Sequence, residues 1–250
     1  MQNKTIYVLD FDGVICDSAI ETGMSGWKAA SLIWSDMPAD MPEYHLLDKF
    51  RQVRPLLETG YEAILIIRLL YLGETVDAIL ADYTHKTQTL LADSKQDIQS
   101  LKHMFGATRD QWIEDSIDDW IAKNPLFPGM AEKLHRLEKN SPWYIVTTKQ
   151  ERFVNQILAK HQIHIGNDRL YGLESMMSKE DMLIHIMDKH PGHPFILVED
   201  RLQTLVDVSK NAKLQEVKLG LASWGYNTQE EKQGLKPGPI ELLALENFLC

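Results

Sequence analysis

Two carboxylates, Asp10 and Asp12, follow a short apolar run, Ile6–Leu9, close to the start of the sequence. Four apolar or aromatic residues in a row predict a strand buried on both faces, and Asp10 then lies at its carboxyl end, where open α/β sheets bind ligands. Two neighbouring carboxylates raise each other's pKa unless a cation neutralises one of them. Such a pair could act as a nucleophile and a general acid, or it could bind a metal ion. On this stretch alone, an Asp-rich turn that ends a strand, with Gly13 making the sharp bend, explains the pattern equally well.

Polar residues also follow two later apolar runs that are expected to form buried strands. They are Thr147 and Thr148 after Trp143–Val146, and Glu199 and Asp200 after Phe195–Val198. The carboxyl ends of parallel strands open on one face of a sheet, so these residues can converge with Asp10 and Asp12. A structural interpretation stays open for each pair, because a threonine is ordinary at a strand end and acidic residues often cap a following helix.

A lysine joins this set from the start of a predicted helix. Ser178 is expected to be the N-cap, with Asp181 as its capping partner, so that Lys179 lies in the first turn of a helix running to His190. Taken alone, Lys179 is better explained as a solvated surface lysine.

The pattern of elements predicts an α/β fold. Strands and helices alternate from Ala131 to Ala222, which is typical of a Rossmann-like parallel sheet, with a fourth strand at Val217–Leu221 and a closing helix over 240–248. Between these parts the periodicity is helical throughout, including one helix over Val76–Ala92. We therefore expect a core domain formed by 1–17 and 126–250, and an inserted all-helical cap domain formed by 18–125.

Composition limits the kind of partner. The sequence has 250 residues and a formal net charge of -10, which argues against nucleic acid because phosphate backbones need a basic surface. The only cysteines are Cys16 and Cys250, so we expect a reducing compartment. No signal peptide or apolar run of membrane-spanning length is apparent, which predicts a cytoplasmic protein with no membrane partner.

The motifs, taken in order, resemble those of the haloacid dehalogenase-like hydrolase superfamily. The segment from Asp10 to Ile15, followed by Asp17 and Ser18, resembles the first motif of that family. The second, third and fourth motifs are matched, in order, by Thr147, Lys179 and the pair Glu199 and Asp200. The stretch 219–227 is similar to the strand and loop that follow in phosphoglycolate phosphatase-like members. A helical cap between the first and second motifs also belongs to this family.

The resemblance implies a Mg²⁺-dependent phosphatase that hydrolyses a small phosphorylated metabolite. Asp10 would be the nucleophile that forms an aspartyl phosphate, and Asp12, kept protonated by its anionic neighbours, the general acid and base. Thr147 would bind a phosphoryl oxygen and Lys179 would supply a positive charge. Mg²⁺ would be held by Asp10, the backbone carbonyl of Asp12, Glu199 and Asp200. The acid at Asp12 disfavours dehalogenation, since a halide leaving group needs no proton.

Two alternatives stay open: a phosphomutase of the same superfamily, which shares these residues, and a non-catalytic regulatory member. The sequence also departs from the family pattern at three places. Glu180 stands where proline often follows the lysine, Arg201 stands where serine often follows the acidic pair, and no further acid occurs at Thr204 or Leu205. These departures concern the metal geometry and the substrate.

Substrate recognition has three candidates, Arg51, Arg54 and Thr148. Arg51, Arg54 and Glu58 share one helix face if the helix continues through Pro55. That face is either a solvated stripe of ion pairs or a surface that binds the non-reacting end of the substrate, for which the planar fork of arginine is suited.

Overall fold

The computed structural model describes residues 3–250 of the chain. Within them, six strands form one parallel sheet in the order β3-β2-β1-β4-β5-β6. The strands are β1 (Ile6–Leu9), β2 (Trp143–Val146), β3 (Leu170–Tyr171), β4 (Phe195–Glu199), β5 (Lys218–Ala222) and β6 (Ile240–Leu243).

The helices fall into two groups along the chain. Six of them lie between β1 and β2: α1 (Ala19–Ile33), α2 (Tyr44–Val53), α3 (Glu62–Tyr71), α4 (Val76–Ala81), α5 (Tyr83–Asp93) and α6 (Ile98–Ala122). Six more accompany the sheet: α7 (Met130–Asn140), α8 (Glu151–Lys160), α9 (Lys179–Lys189), α10 (Leu202–Lys210), α11 (Gln229–Gly234) and α12 (Leu245–Leu249). The predicted α/β core with an all-helical insertion is therefore confirmed.

Two compact units make up the chain. One consists of the residues up to Asp17 together with Pro125–Cys250, and the other of Ser18–Asn124. Pro125 thus belongs to the sheet unit, one residue earlier than the boundary expected from the sequence. No helix in the described part of the chain is both long and apolar enough to cross a membrane.

The central strand β1 is buried because side chains cover both faces of the sheet. Ile6 and Val8 belong to a core cluster with residues of α9 and α10. Tyr7 points the other way, where its ring meets Phe248 of α12 edge-on and Lys133 of α7 lies over it. A strand covered in this way must be apolar at successive positions, which is why Ile6–Leu9 is a continuous apolar run.

Two strands of the sheet were not predicted. The spacing of apolar residues over 240–248 predicts a helix, but that prediction is wrong: Ile240–Leu243 is the parallel edge strand β6, and only the short helix α12 follows. The two-residue strand β3 pairs with β2 at the opposite edge. Neither segment has a strand pattern of its own, because edge strands this short depend on the neighbour to which they hydrogen-bond.

In the helical unit, one predicted helix is wrong, and a condition that the sequence left open at Pro55 is not met. The helix expected over Val76–Ala92 is broken at Asp82, whose backbone is not helical, so α4 and α5 are separate. The helix through Pro55 does not form either. α2 ends at Val53, a short 3-10 helix covers Arg54–Leu56, and Leu57 is extended. Glu58 therefore does not share a helix face with Arg51.

A buried ion pair connects α1 to α6 inside this unit. Arg109 donates hydrogen bonds to both carboxylate oxygens of Glu21, at 2.7 and 2.6 Å, and both side chains are almost fully buried. Glu21 also accepts hydrogen bonds from Ser25 and from the indole N–H of Trp120. Removal of either charge would leave the other buried and without its main partner.

Candidate active site

The first part of the site is the turn that follows β1. The backbone N–H of Asp10 still bonds to the carbonyl of Val198, so the sheet holds this residue in place, and only 6% of Asp10 is exposed. The chain then turns sharply at Gly13, whose φ is +89°. A Cβ atom at Gly13 would lie 1.9 Å from Oδ2 of Asp200, so glycine is also required for this turn to approach Asp200.

The second part lies at the end of β4, the strand beside β1. Glu199 is the last residue of that strand, and its Oε1 accepts hydrogen bonds from the backbone N–H groups of Asp200 and Arg201. Oδ2 of Asp200 accepts a hydrogen bond from the backbone N–H of Tyr226 at 2.8 Å, and the backbone carbonyl of Asp200 accepts one from the amide of Asn227. Both acidic side chains are therefore fixed by backbone groups.

Lys179 brings a positive charge between these two parts. It is the first residue of α9, and Ser178 caps that helix by accepting a hydrogen bond from the backbone N–H of Asp181. Its Nζ lies 3.0 Å from Oδ1 of Asp10 and 2.5 Å from Oε2 of Glu199. The predicted helix start is thus the element that directs Lys179 to the carboxylates.

Burial and charge set the protonation of this cluster. Burial, together with the charges of Glu199 and Asp12, raises the pKa of Asp10 to about 7, although Lys179 acts to lower it. Burial alone would lower the pKa of Lys179, but the charges of Asp10 and Glu199 outweigh it, so this pKa is raised. Burial also acts to raise the pKa of Glu199, yet the charge and hydrogen bond of Lys179 hold that pKa below its usual range.

The cluster is suited to a metal ion. Asp10, Glu199 and Asp200 each offer a carboxylate oxygen, and these atoms all lie within 4.8 Å of one another. Oδ1 of Asp10 is buried and accepts no well-oriented hydrogen bond within residues 3–250, although Lys179 is near. Three buried carboxylates and one lysine leave negative charge in excess, and a hard divalent cation such as Mg²⁺ binds oxygen ligands of this kind.

Thr147 and Thr148 lie directly after β2, the neighbour of β1 on its other side. Thr147 is buried, its backbone N–H bonds to the carbonyl of Tyr171, and its hydroxyl oxygen accepts a hydrogen bond from the backbone N–H of Lys149. Thr148 is half-buried. Roles for both in phosphate or substrate binding stay predictions.

The structure adds Lys149, which the sequence pattern did not single out. Its Nζ lies 3.0 Å from Oδ1 of Asp12. A buried cation therefore lies beside Asp12 in addition to its anionic neighbours, and the protonation expected of Asp12 stays a prediction. The sequence did contain one signal: Lys149 is a charged residue that follows the buried strand β2 by three positions, at the end of the sheet where the carboxylates lie. Tyr226 and Asn227, which hold Asp200, were also missed as individual residues, although their loop was noted for its resemblance.

Arg51 and Arg54 belong to the helical unit. Arg51 is exposed in the last turn of α2, and Arg54 is half-buried at the start of the following 3-10 helix, where its Nη1 donates to the carbonyl of Leu57 at 3.4 Å. A role for either in substrate recognition stays a prediction.

Comparison with known proteins shows the fold. Solved structures similar to this chain include a Bacteroides fragilis protein named as a haloacid dehalogenase-like hydrolase, with 18% identity and a TM-score of 0.57 over 99% of this chain and 100% of that one. A predicted phosphatase from Clostridium acetobutylicum has 16% identity and a TM-score of 0.60 over 99% and 97% of the two chains. A Lactobacillus delbrueckii protein named as a phosphoglycolate phosphatase has 16% identity and a TM-score of 0.56 over 98% and 95%.

No family model and no curated protein sequence matches the chain. The structural similarity covers nearly the whole length of both partners, while the identities are low. The resemblance to haloacid dehalogenase-like proteins is thus confirmed for the fold: a parallel sheet with a helical insertion after its first strand.

Proposed function

We propose that this protein is a phosphatase with the haloacid dehalogenase-like fold, which hydrolyses a small phosphorylated metabolite with the help of Mg²⁺. One observation carries the proposal. Asp10, Glu199, Asp200 and Lys179 form a single buried cluster at the carboxyl ends of adjacent parallel strands. Ligands bind at this position in open α/β sheets, and a cluster of carboxylates with a lysine suits the charge of a phosphoryl group.

In the proposed reaction, Asp10 is the nucleophile. One of its carboxylate oxygens forms a bond to phosphorus while the bond from phosphorus to the ester oxygen breaks, which gives an aspartyl phosphate. Asp12, protonated in the substrate complex, donates its proton to the departing ester oxygen. In the second step Asp12 takes a proton from water, whose oxygen attacks phosphorus and releases Asp10 and inorganic phosphate. Lys179 neutralises charge on the transferred group, and Thr147 donates a hydrogen bond to it.

Mg²⁺ would be held by Asp10 and Asp200, with the backbone carbonyl of Asp12. When bound, the ion supplies positive charge for the oxygens of the phosphoryl group. Glu199 is suited to a supporting place, because Lys179 and two backbone N–H groups already engage its carboxylate oxygens.

The substrate class follows from charge and size. A net charge of -10 disfavours nucleic acid, while the local cations Lys179 and Lys149 favour a small anion at this site. The sequence has two cysteines, Cys16 and Cys250, and this low number is the basis for the expected location in the reducing cytoplasm.

A screen of phosphorylated metabolites tests the proposal. The purified protein should release inorganic phosphate from at least one monoester in the presence of Mg²⁺, and excess chelator should abolish this release. Asp10→Asn should lose more than about a thousandfold in rate, because a missing nucleophile is not replaced by its neighbours. Asp188→Asn, which removes an exposed carboxylate from α9, is the matched control and should keep wild-type activity.

Three results would contradict parts of the proposal. Full activity of Asp10→Asn would exclude the covalent step, and full activity in chelator would exclude the metal. Conversion of a phosphorylated sugar into its isomer without release of phosphate would identify a phosphomutase instead.

A further inference from the structure

A buried lysine in the sheet unit calls for a physical explanation. Lys149 follows β2 by three residues, and only 3% of its surface is exposed. Burial of an ammonium group is costly unless a partner of opposite charge compensates for it. One such partner is Asp12, whose Oδ1 lies 3.0 Å from Nζ.

The backbone of Lys149 is held from two sides. Its N–H donates a hydrogen bond to the hydroxyl oxygen of Thr147, and its carbonyl accepts one from the N–H of Leu173, both at 3.1 Å. Gly172 permits this close passage, because a Cβ atom there would lie 2.5 Å from the carbonyl oxygen of Lys149. The aromatic ring of Phe11, the residue before Asp12, adds a contact, with Nζ 5.9 Å from the ring centroid.

The two partners differ in exposure in an informative way. The side chain of Lys149 is 1% exposed, whereas that of Asp12 is 17% exposed. The side chain of Lys149 is therefore enclosed by the core. The carboxylate of Asp12 is held by this lysine and is also accessible from outside the core. A carboxylate that transfers protons to and from a substrate needs both properties.

We infer that Lys149 is a positioning residue, which holds the carboxylate of Asp12 in the orientation needed for proton transfer to the leaving group. This inference rests on the proposed function, in which Asp12 is the general acid and base. Lys149 is then distinct from Lys179, which contacts Asp10 and Glu199 and is suited to act on the phosphoryl group itself. A displacement of about 1 Å in a group that reacts can cost about a hundredfold in rate, so such a support matters.

The leaving group gives the sharpest test, because only poor leaving groups need a proton. The quantity is kcat/KM for p-nitrophenyl, phenyl and methyl phosphate, which reports on the first phosphoryl transfer. Lys149→Met should lower this value roughly 10- to 100-fold for methyl phosphate and less than about threefold for p-nitrophenyl phosphate. Lys149→Arg, which keeps a cationic donor, should restore part of the loss on methyl phosphate.

A matched control separates this effect from the general loss of a buried lysine. Lys133 is likewise buried, at 7% exposure, and its Nζ lies over the rings of Tyr7 and Phe248. Lys133→Met should therefore leave the dependence on the leaving group unchanged. An equal loss on all three esters for Lys149→Met would show that Lys149 binds the phosphoryl group, and no loss on any would show that it is only structural. Either result overturns the inference.

A second measurement does not depend on activity. In a crystal structure of Lys149→Met, the carboxylate of Asp12 should move by about 1 Å or occupy more than one rotamer, compared with one position in the wild type. If Lys149→Met does not fold, Lys149→Gln takes its place in both experiments. An unmoved Asp12 carboxylate would overturn the inference even if no ester is hydrolysed, whereas an inactive wild type would count against the proposed function alone.

Discussion

The carboxylates that give the site its proposed chemistry also lower the stability of the folded state, because they are buried close together. Asp10 is confined with Glu199 and Asp200 in a space from which water is largely excluded. Lys179 compensates for part of this charge, yet the pKa of Asp10 remains raised to about 7. Near neutral pH the carboxyl of Asp10 is therefore poised between its two protonation states until a cation binds.

This cost predicts how stability depends on pH in the protein freed of metal by chelation. The pKa of Asp10 is about 7 in the native state, whereas the value for an aspartate in the unfolded chain is 3.8. Between these values the native state keeps a proton that the unfolded state has lost, so the contribution of Asp10 to stability falls as pH rises through this range. Asp10→Asn removes that fall. The unfolding free energy of Asp10→Asn relative to the wild type should therefore increase with pH. The increase from about pH 5 to about pH 8 should be on the order of 1–3 kcal/mol.

Urea denaturation of both proteins at the two pH values measures this gain. Asp188→Asn again serves as the control, since its side chain is exposed and lies outside the buried cluster, and it should not reproduce this gain. A gain for Asp10→Asn that stays constant or shrinks with rising pH would show that burial does not hold a proton on Asp10.

At the scale of elements, α1 and α6 of the helical unit are joined by charge as well as by packing. Glu21 of α1 is completely buried, and Arg109 of α6 binds it through two hydrogen bonds. The guanidinium of Arg109 also lies over the ring of Phe105, 4.3 Å from its centroid. A pair of this kind fixes the register between two helices, because a shift by one turn would separate the charges.

Arg109→Met should therefore lower the unfolding free energy by about 3–5 kcal/mol, because it leaves the charge of Glu21 buried. The double variant Glu21→Gln with Arg109→Met should recover part of this loss. Arg152→Met is the matched control, since Arg152 pairs with Glu174 at the surface and its loss should cost less than about 1 kcal/mol. Equal losses for the buried and the exposed pair, measured by urea denaturation, would contradict this account.

At the scale of the whole molecule, the residues of the proposed reaction lie in one unit, and the other unit contributes none of them. Every carboxylate and lysine of the site belongs to the sheet unit, whereas Ser18–Asn124 form a helical unit with its own apolar core. We propose that the helical unit takes part in the selection of the substrate. Arg54 and Arg51 are our candidates for that selection.

Arg54→Ala should lower kcat/KM for the best metabolite from the screen at least about tenfold more than for p-nitrophenyl phosphate. The reason is that the small ester lacks the anionic end that an arginine would bind. Lys49→Ala removes a positive charge from the exposed face of α2 and should affect both substrates alike. Equal effects of Arg54→Ala on the two substrates would assign this residue to the solvated surface.

Local patterns in the sequence predicted the centre of the fold, and together with the family resemblance they singled out most residues of the proposed site. Strands buried on both faces need continuous apolar runs, so β1, β2 and β4 are visible without a structure, and polar residues at their ends stand out against them. Convergence of these residues was expected because the ends of parallel strands open on one face, and their order along the chain carried the family resemblance. The helical insertion was equally visible, because its periodicity is local.

Tertiary structure alone decided the features that depend on partners distant in sequence. β6 and β3 are strands because β5 and β2 offer them free edges, not because of their own residues. The pairing of Lys149 with Asp12 joins residues 137 positions apart. The same holds for the bond from Tyr226 to Asp200, which forms only when the sheet brings two loops together. Short edge strands and buried ion pairs draw their stability from these neighbours, and a single sequence does not name them.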